Sequence, residues 1–449
     1  MNKKLNATLL FVLISLSTAA VGQISVENEM YKLDNGLTVI LHNDSSAPIV
    51  TVNIWYHTGS KDEKPGRTGF AHLFEHMLFQ GSLNVGDDKH FILIQGVGGS
   101  LNGSTNSDRT NYYETTPSNY LEMLLWLESD RMGWLLPAMT EKKLDNQRDV
   151  VKNERRQSYE NRPYGLAWEN IYFKLYPEEH PYHWSTIGSM EDLSAASLDD
   201  IKDFFQSYYG PNNASLVIAG DFDSGQAKVW VEKYFGEIPS GPEVVHPNPD
   251  MPVLTEEVRF MMEDKVQLPR IYFVWNSVSR FDEDEAALDV LGEVLSSGKN
   301  SRFYRAMIYD NPIAQDAAAF QFSREIAGSF EMEITATPET NLSVIEKVVW
   351  EEVEKIQNEL PTEREMRRAI NSIEASFVFG IQSIGRKADR LNSYYTWTGV
   401  PDGFEKDLSR FSNVTAEDVQ RVANKYLDKN NLIILSVVPE GKPELQASK

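Results

Sequence analysis

The chain has 449 residues, 41% of them hydrophobic, and this length favours two domains of about 200 residues each over one compact core. Its 66 acidic residues against 43 Lys and Arg give a formal charge of -23, which argues against nucleic acid as a partner. Because the chain has no cysteine, disulfides, thiolate chemistry and a lipid anchor on cysteine are excluded.

Residues 1–22 have the pattern of a secretory signal peptide. Lys3 and Lys4 precede an apolar run at 9–16, and the small residues Ala20 and Gly22 precede a cleavage site at Gln23. An uncleaved membrane anchor is the alternative, although the apolar run is short for a membrane span. We therefore expect an exported protein, in the bacterial periplasm, without stable membrane insertion.

Hydrophobic periodicity and turn residues predict the elements that follow. In chain order they are strands at 30–42 (a hairpin turning at Asn35-Gly36), 49–56 and 110–116, and helices at 69–79, 120–136 and 141–159. The stretch 96–106, rich in Gly and small polar residues, is not framed as a nucleotide-binding loop, because no strand-GxGxxG-helix arrangement surrounds it.

The first of these helices carries the motif Gly69-Phe-Ala-His-Leu-Phe-Glu-His-Met-Leu-Phe79. Residues four apart on a helix share a face, so His72 and His76 can direct two imidazole nitrogens at one ion, with Glu75 beside them. Two histidines suit zinc, and a Glu that is not a ligand can take the proton from an activated water. An amphipathic core helix with two chance histidines is the alternative.

The second half of the chain resembles the first. Ser197-Leu-Asp-Asp-Ile201 matches Thr415-Ala-Glu-Asp-Val419 at an offset of 218 residues, which predicts a duplicated domain. The second copy carries Asp289 and Glu293 near the positions of the two histidines, so only the first half is expected to bind metal. A segment with five prolines predicts the linker. The predicted division is a signal peptide at 1–22, a zinc-binding catalytic domain at 23–235, a linker at 236–256, and a duplicated domain without a metal site at 257–449.

A zinc site needs a third protein ligand, and the helix at 141–159 offers several acidic candidates that local sequence does not separate. At this point a family resemblance becomes specific. The motif above, followed 78 residues after His76 by Glu154 in Val150-Val-Lys-Asn-Glu154, resembles the pitrilysin/insulinase family of zinc metallopeptidases. More closely, the chain resembles the short two-domain branch of this family, which includes the mitochondrial processing peptidases and their bacterial relatives.

The resemblance implies a fold and further site residues. The fold class is α+β, with two homologous domains that each carry an antiparallel or mixed sheet and helices packed on one face. Glu154 becomes the third zinc ligand. Gln147 stands where the family usually has a second Glu that supports the site, and this exchange puts full metal affinity or rate in doubt. Asn102, on a strand that receives the substrate backbone, is expected to hold the substrate carbonyl, with a plain turn as the alternative.

The resemblance also implies a partner. Family members supply an Arg and, seven residues later, a Tyr that bind the substrate carbonyl, and here Arg305 is followed at that spacing by Pro312, or by Ala314 if two residues are inserted. Tyr309 is only four residues away. We therefore expect a homologous subunit that carries the Arg/Tyr pair, with a homodimer or monomer as the alternative.

The function predicted from the sequence is zinc-dependent hydrolysis of peptide bonds in peptides or unfolded polypeptides. Glu75 acts as general base, and Zn2+ is held by His72, His76 and Glu154. Two alternatives stay open. One is a non-catalytic or weakly active scaffold subunit of a peptidase complex, and the other is a hydrolase that acts on a substrate other than peptide.

Overall fold

The computed structural model describes residues 25–448. The predicted signal peptide at 1–22 therefore lies outside the described residues. Among residues 25–448, no helix is long and apolar enough to cross a membrane.

The first half of the described chain folds into one six-stranded sheet and its surrounding helices. The strands are β1 (Glu29–Lys32), β2 (Thr38–Asn43), β3 (Ile49–Tyr56), β4 (Ser100–Thr105), β5 (Thr110–Pro117) and β6 (Ala214–Gly220). The helices are α1 (Phe70–Met77), α2 (Lys89–Gly96), α3 (Leu121–Trp134), α4 (Glu141–Arg155), α5 (Ala167–Leu175), α6 (Met190–Ala195), α7 (Leu198–Tyr208) and α8 (Ser224–Phe235). The strand order is β1-β2-β6-β3-β5-β4, so β4 is an edge strand.

The second half forms a five-stranded sheet with its own helices. The strands are β7 (Val258–Asp264), β8 (Arg270–Ser277), β9 (Ala314–Ser323), β10 (Gly328–Ala336) and β11 (Ile433–Pro439). The helices are α9 (Glu285–Ser296), α10 (Leu342–Asn358), α11 (Glu363–Gly380), α12 (Ile384–Thr398), α13 (Phe404–Ser412) and α14 (Ala416–Tyr426). Residues 236–257, between α8 and β7, form neither helix nor strand.

The two sheets repeat one arrangement. The order β2-β6-β3-β5-β4 of the first sheet corresponds to β7-β11-β8-β10-β9 of the second, and β2–β6 and β7–β11 are parallel pairs. The repeated sequence signal lies at equivalent helix starts, because Ser197 is the N-cap of α7 and Thr415 is the N-cap of α14, each with a capping box. The predicted α+β fold class is confirmed.

Each half also contributes one helix that packs against the sheet of the other half. On α5, Ile171 and Leu175 pack with Val274 and Leu435 of the second sheet. In the reverse direction, Ala388 and Leu391 of α12 pack with Ile40 and Val217 of the first sheet. Each sheet therefore has helices of its own half on one face and a helix of the other half on the opposite face, so both halves bury apolar surface against each other.

The turn between β9 and β10 adds a polar contact between the halves. Its Arg324 donates a hydrogen bond to the Tyr176 hydroxyl at 2.6 Å, and its Glu325 accepts from His57 Nε2 at 2.9 Å. The Lys61 ammonium, which is fully buried, lies 3.1 Å from the Glu325 carboxylate. Although burial alone would raise it, the hydrogen bond from His57 and the charge of Lys61 lower the pKa of Glu325 to about 2.

We expect Glu325→Gln to lower the free energy of unfolding by about 1–3 kcal/mol at pH 7, because it leaves the buried Lys61 with weaker compensation. The folded-state pKa of Glu325, about 2, lies below the ordinary value of 4.5. As the pH falls, Glu325 is therefore protonated in the unfolded chain before it is protonated in the folded protein. The difference between wild type and variant should therefore be full above about pH 4.5 and shrink as the pH falls towards 2. Urea unfolding at several pH values measures it. Glu363→Gln, at an exposed ion pair with Arg367, is the control, and an equal loss in both variants would contradict the assignment.

Candidate metal centre

The orientation of α1 is set by its apolar face. Phe70, Leu73, Phe74 and Met77 are buried in the core of the first half. Three- and four-residue spacing places them on one side of the helix, so the polar residues of the motif lie on the other side. This packing turns His72, Glu75 and His76 away from the core centre and towards α4 and β4.

The start of α1 is fixed by a carboxylate and by a close backbone approach. The Glu63 carboxylate accepts hydrogen bonds from the backbone N–H groups of Gly69, at 3.0 Å, and Ala71, at 2.7 Å. Gly69 has a φ of +85°, and a Cβ on it would lie 2.6 Å from the Ile187 carbonyl oxygen. Only glycine meets both conditions without strain, so the motif begins at a fixed position.

Helix α4 carries the third candidate ligand. Leu144 and Val151 bury one face of the helix, and Glu154 lies in its last turn. The next residue, Arg155, holds this end of the helix in place, because it donates to both oxygens of the Glu169 carboxylate at 2.8 Å and to the Gly188 carbonyl at 2.8 Å.

These elements bring His72, His76 and Glu154 together. One ligand atom from each lies within 4.8 Å of the others. Among the described residues, this is the only group of three or more His, Cys, Asp or Glu residues that meets this condition. Glu154 oxygens lie 3.8 Å from His72 Nε2 and 3.4 Å from His76 Nε2. Ligand atoms about 2.1 Å from a tetrahedral zinc ion are about 3.4 Å apart, so two nitrogens and a carboxylate in this arrangement fit zinc.

The protonation states of two of these groups suit metal binding. Burial, together with the neighbouring His76, lowers the pKa of His72 to about 4, so the ring is neutral at pH 7. A hydrogen bond with His76 lowers the pKa of Glu154, which keeps its carboxylate charged. Metal ligation needs these deprotonated forms.

Glu75 is held next to the cluster by β4. Its Oε2 accepts a hydrogen bond from the Thr105 hydroxyl at 2.6 Å. A Cβ on Gly103 would lie 3.1 Å from Glu75 Cγ, so the missing side chain leaves room for the carboxylate. Burial raises the pKa of Glu75, while the Thr105 hydrogen bond opposes that change.

The remaining predicted residues lie outside the cluster. Asn102 is exposed on β4, and its Oδ1 accepts from the Gly103 N–H at 3.0 Å. Gln147 is buried on α4, seven residues before Glu154. Arg305 lies in the second half on the π-helical turn Tyr304–Tyr309, where it pairs with Asp310 at 3.4 Å. Among the described residues, no contact joins Asn102 or Arg305 to the cluster.

Three residues of the site were missed by sequence reasoning. Thr105 and Gly103 act on Glu75 across a strand and a helix, and Arg155 fixes the end of the helix that carries Glu154. Gly103 and Thr105 both lie in the stretch 96–106, singled out as rich in Gly and small polar residues, which was the one available signal. The contacts that these two residues make with Glu75, and those of Arg155, are tertiary contacts that no local spacing encodes.

Two family models match consecutive parts of this chain, and known proteins resemble most of it. Residues 38–180 match the family model described as insulinase (peptidase family M16), and residues 195–373 match the one described as peptidase M16 inactive domain. The zinc protease PqqE of Helicobacter pylori is 26% identical over 404 residues, covering 89% of this chain and 90% of that protein. The mitochondrial-processing peptidase subunit beta of Saccharomyces cerevisiae is 22% identical over 427 residues, covering 90% of each.

Solved structures show the same fold. The crystal structure of a protease from Helicobacter pylori superposes with a TM-score of 0.86 at 26% identity, covering 92% of this chain and all of that one. A peptidase M16 inactive domain from Pseudomonas fluorescens gives a TM-score of 0.81 at 18% identity, covering 92% of this chain and 98% of that one. The names of the relatives support a peptidase-type role, and the two family models together span most of the chain. This chain therefore belongs to the insulinase family, peptidase family M16.

Proposed function

We propose that this protein is a zinc-dependent peptidase that hydrolyses peptide bonds in peptides or unfolded polypeptides. The observation that carries the proposal is the cluster of His72, His76 and Glu154, with the Glu75 carboxylate beside it and an edge strand next to Glu75. Names of relatives that include zinc protease support the same reaction.

The residues of this chain have distinct parts in the proposed reaction. When bound by His72, His76 and Glu154, zinc polarises the scissile carbonyl and makes an attacking water more acidic. Glu75 Oε2 is engaged by Thr105, which leaves Oε1 to accept the proton of that water and to return it to the leaving amine. A pKa of Glu75 that burial has raised suits a group that must both take and give a proton near neutral pH.

The edge strand β4 gives the substrate a place to bind. β4 pairs with β5 on one side only, so its other side presents unpaired backbone N–H and C=O groups. An extended peptide can add to this edge, and its backbone then runs past Glu75. The proposed substrate is therefore an extended segment and not a folded surface.

We expect Glu154→Gln to weaken zinc binding by more than the ~10- to 100-fold that losing an outer hydrogen-bond partner costs, because a charged ligand is removed. Glu141→Gln, an exposed acid in the first turn of the same helix, should keep wild-type zinc content. Metal analysis after dialysis against a zinc buffer measures both variants. Equal zinc content in the two would remove Glu154 from the site.

Glu75→Gln should keep zinc and lose activity by about 10² to 10⁴, because the amide cannot accept the proton from water. The exchange preserves the size of the side chain and an oxygen for the Thr105 hydrogen bond. Peptide-library cleavage with mass spectrometry, paired with zinc analysis of the same sample, makes the measurement. If activity instead follows a loss of zinc, Glu75 is a ligand and not the base. If the wild-type protein holds close to one zinc ion per chain and cleaves no peptide, the result favours the alternative of a non-catalytic scaffold subunit.

We further propose that the chain works with a second, similar chain. Pro312 and Ala314 have no hydroxyl, and Tyr309, which stacks on the Arg305 guanidinium at 4.7 Å, is exposed and outside contact with the cluster. A missing oxyanion donor typically costs ~10² to 10³ in rate. A partner that carries the Arg/Tyr pair would supply what this chain does not place at its own cluster.

The isolated protein should therefore be weakly active, and adding its Arg/Tyr-bearing relative from the same organism should raise the turnover number at least about tenfold. Tyr309→Phe serves as the control for a homodimer, in which a second copy would supply Arg305 and Tyr309. If the isolated chain is fully active and the turnover number is unchanged by the relative, the proposal of a distinct partner fails. Loss of that activity in Tyr309→Phe would then indicate the homodimer.

A further inference from the structure

A polar groove lies on the face of the first sheet that is opposite α1. It has a volume of about 360 Å³ and runs between β4 and β5 on one side and the first turns of α12 on the other. Its charged lining consists of Arg109, Arg386 and Asp389. We call it the α12 groove, and the second half of the chain supplies one of its walls.

The groove is reached from the edge strand that lies beside Glu75. Side chains alternate along a strand, so Gly103 and Thr105 face Glu75 whereas Ser100, Asn102 and Ser104 face the other way. Ser100 and Ser104 line the α12 groove. The two faces of β4 therefore lead to two different sites, the metal cluster and the groove.

The pairing of β4 shows which backbone groups face the free edge. The Asn106 N–H donates to the Arg109 carbonyl at 3.0 Å where the β4–β5 hairpin closes. Hydrogen-bonded and non-hydrogen-bonded pairs alternate from that point, so the backbone groups of Gly103 and Thr105 point outward. The Gly103 N–H accordingly bonds the Asn102 side chain and not β5.

A substrate strand on this edge would direct alternate side chains towards the groove. Directly opposite residues of paired strands share a face, so a substrate residue beside Gly103 points towards Glu75. Its neighbours in the substrate lie beside Asn102 and Ser104 and point towards the α12 groove. The groove thus receives a side chain that is adjacent in sequence to the reacting residue.

The charges in the groove favour an anionic side chain. Arg109 donates to the Ser104 carbonyl at 2.7 Å, but its Nε is buried without a hydrogen-bond partner. Arg386 is exposed and makes no ion pair within residues 25–448. Asp389, the one carboxylate, already accepts hydrogen bonds from Trp55 at 3.1 Å and Asn111 at 3.3 Å. Two guanidinium groups against one such carboxylate make this groove cationic in a chain of net charge -23.

We propose that the α12 groove is a specificity pocket that receives an Asp or Glu side chain of the substrate next to the scissile bond, with Arg386 as its main determinant. The inference rests on the proposed peptidase function and adds a substrate class to it. Guanidinium groups pair with carboxylates through charge-assisted hydrogen bonds, and the volume accommodates a Glu side chain. Arg109 positions the groove wall through Ser104, and Arg386 is free to bind.

The test compares three peptides that differ only in a Glu, Gln or Lys at the positions flanking one cleavage site. Wild type should cleave the Glu peptide with a kcat/KM at least about tenfold above that of the Gln peptide, the gain expected of one charge-assisted hydrogen bond. Arg386→Gln should remove this ratio, and Arg386→Glu should favour Lys. Arg364→Gln, which removes an exposed arginine of α11 that has no ion pair among the described residues, is the matched control and should keep the ratio.

The outcomes separate this inference from the proposed function. Chelator-sensitive cleavage of the Gln peptide measures peptidase activity independently of the groove. If wild type cleaves that peptide but shows no preference for Glu, or prefers Lys, the groove assignment is overturned. If no peptide is cleaved, the proposed function fails. Fluorescence anisotropy of the same peptides, carrying a fluorescent label, then tests whether the α12 groove binds an acidic side chain. Tighter binding of the Glu peptide that Arg386→Gln removes supports the pocket, and equal binding of the three peptides refutes it.

Discussion

The burial of one face of α1 is the constraint on which the site depends. Phe70, Leu73, Phe74 and Met77 each lose nearly all their exposure to water, which contributes about 1.5–3 kcal/mol per side chain. Rotating the helix by one residue, 100°, would expose part of this face and bury a histidine without a partner. The hydrophobic pattern therefore sets the direction of His72, Glu75 and His76 before any metal is considered. The Glu63 carboxylate, which caps the start of the helix, fixes its position along the axis.

The sequence predicted the parts of this arrangement that are local. The strand predicted at 49–56 is β3, and the helices predicted at 120–136 and 141–159 correspond to α3 and α4, with a π-helical turn at Arg156–Glu160 ending the second. Spacing alone grouped His72 with His76. Glu154, 78 residues further on, came from the family resemblance, because its approach depends on how α4 packs and several acids on that helix were equivalent by pattern. Thr105 lies in the stretch of small polar residues at 96–106, but its contact with Glu75, like the contacts of Arg155, joins elements far apart in the chain and has no local signal.

The exchange of α5 and α12 between the halves is the part of the fold that the duplication did not predict. The sequence of an amphipathic helix indicates that the helix has an apolar face, but not which sheet that face packs against. The result matters for function, because α12 closes the first sheet on the face that its own helices leave open. Asp389 of α12 then accepts hydrogen bonds from Trp55 and Asn111 of the first half. The second half of the chain thereby shapes the surroundings of the edge strand in the first half.

Two pairs of features bear in opposite directions on the choice between a peptidase and a scaffold. Gln147 replaces the usual acid, and the buried His72 Nδ1 has no hydrogen-bond partner in the described chain, although outer partners normally raise the basicity of a ligand. Both features are expected to lower metal affinity. On the other side, Gly103 leaves space beside Glu75, and Thr105 donates to it. A scaffold could fill that space with any small side chain, whereas a base that must move a proton needs it clear. Because these contacts serve Glu75 and not the metal ligands, they favour catalysis over a peptide-holding role.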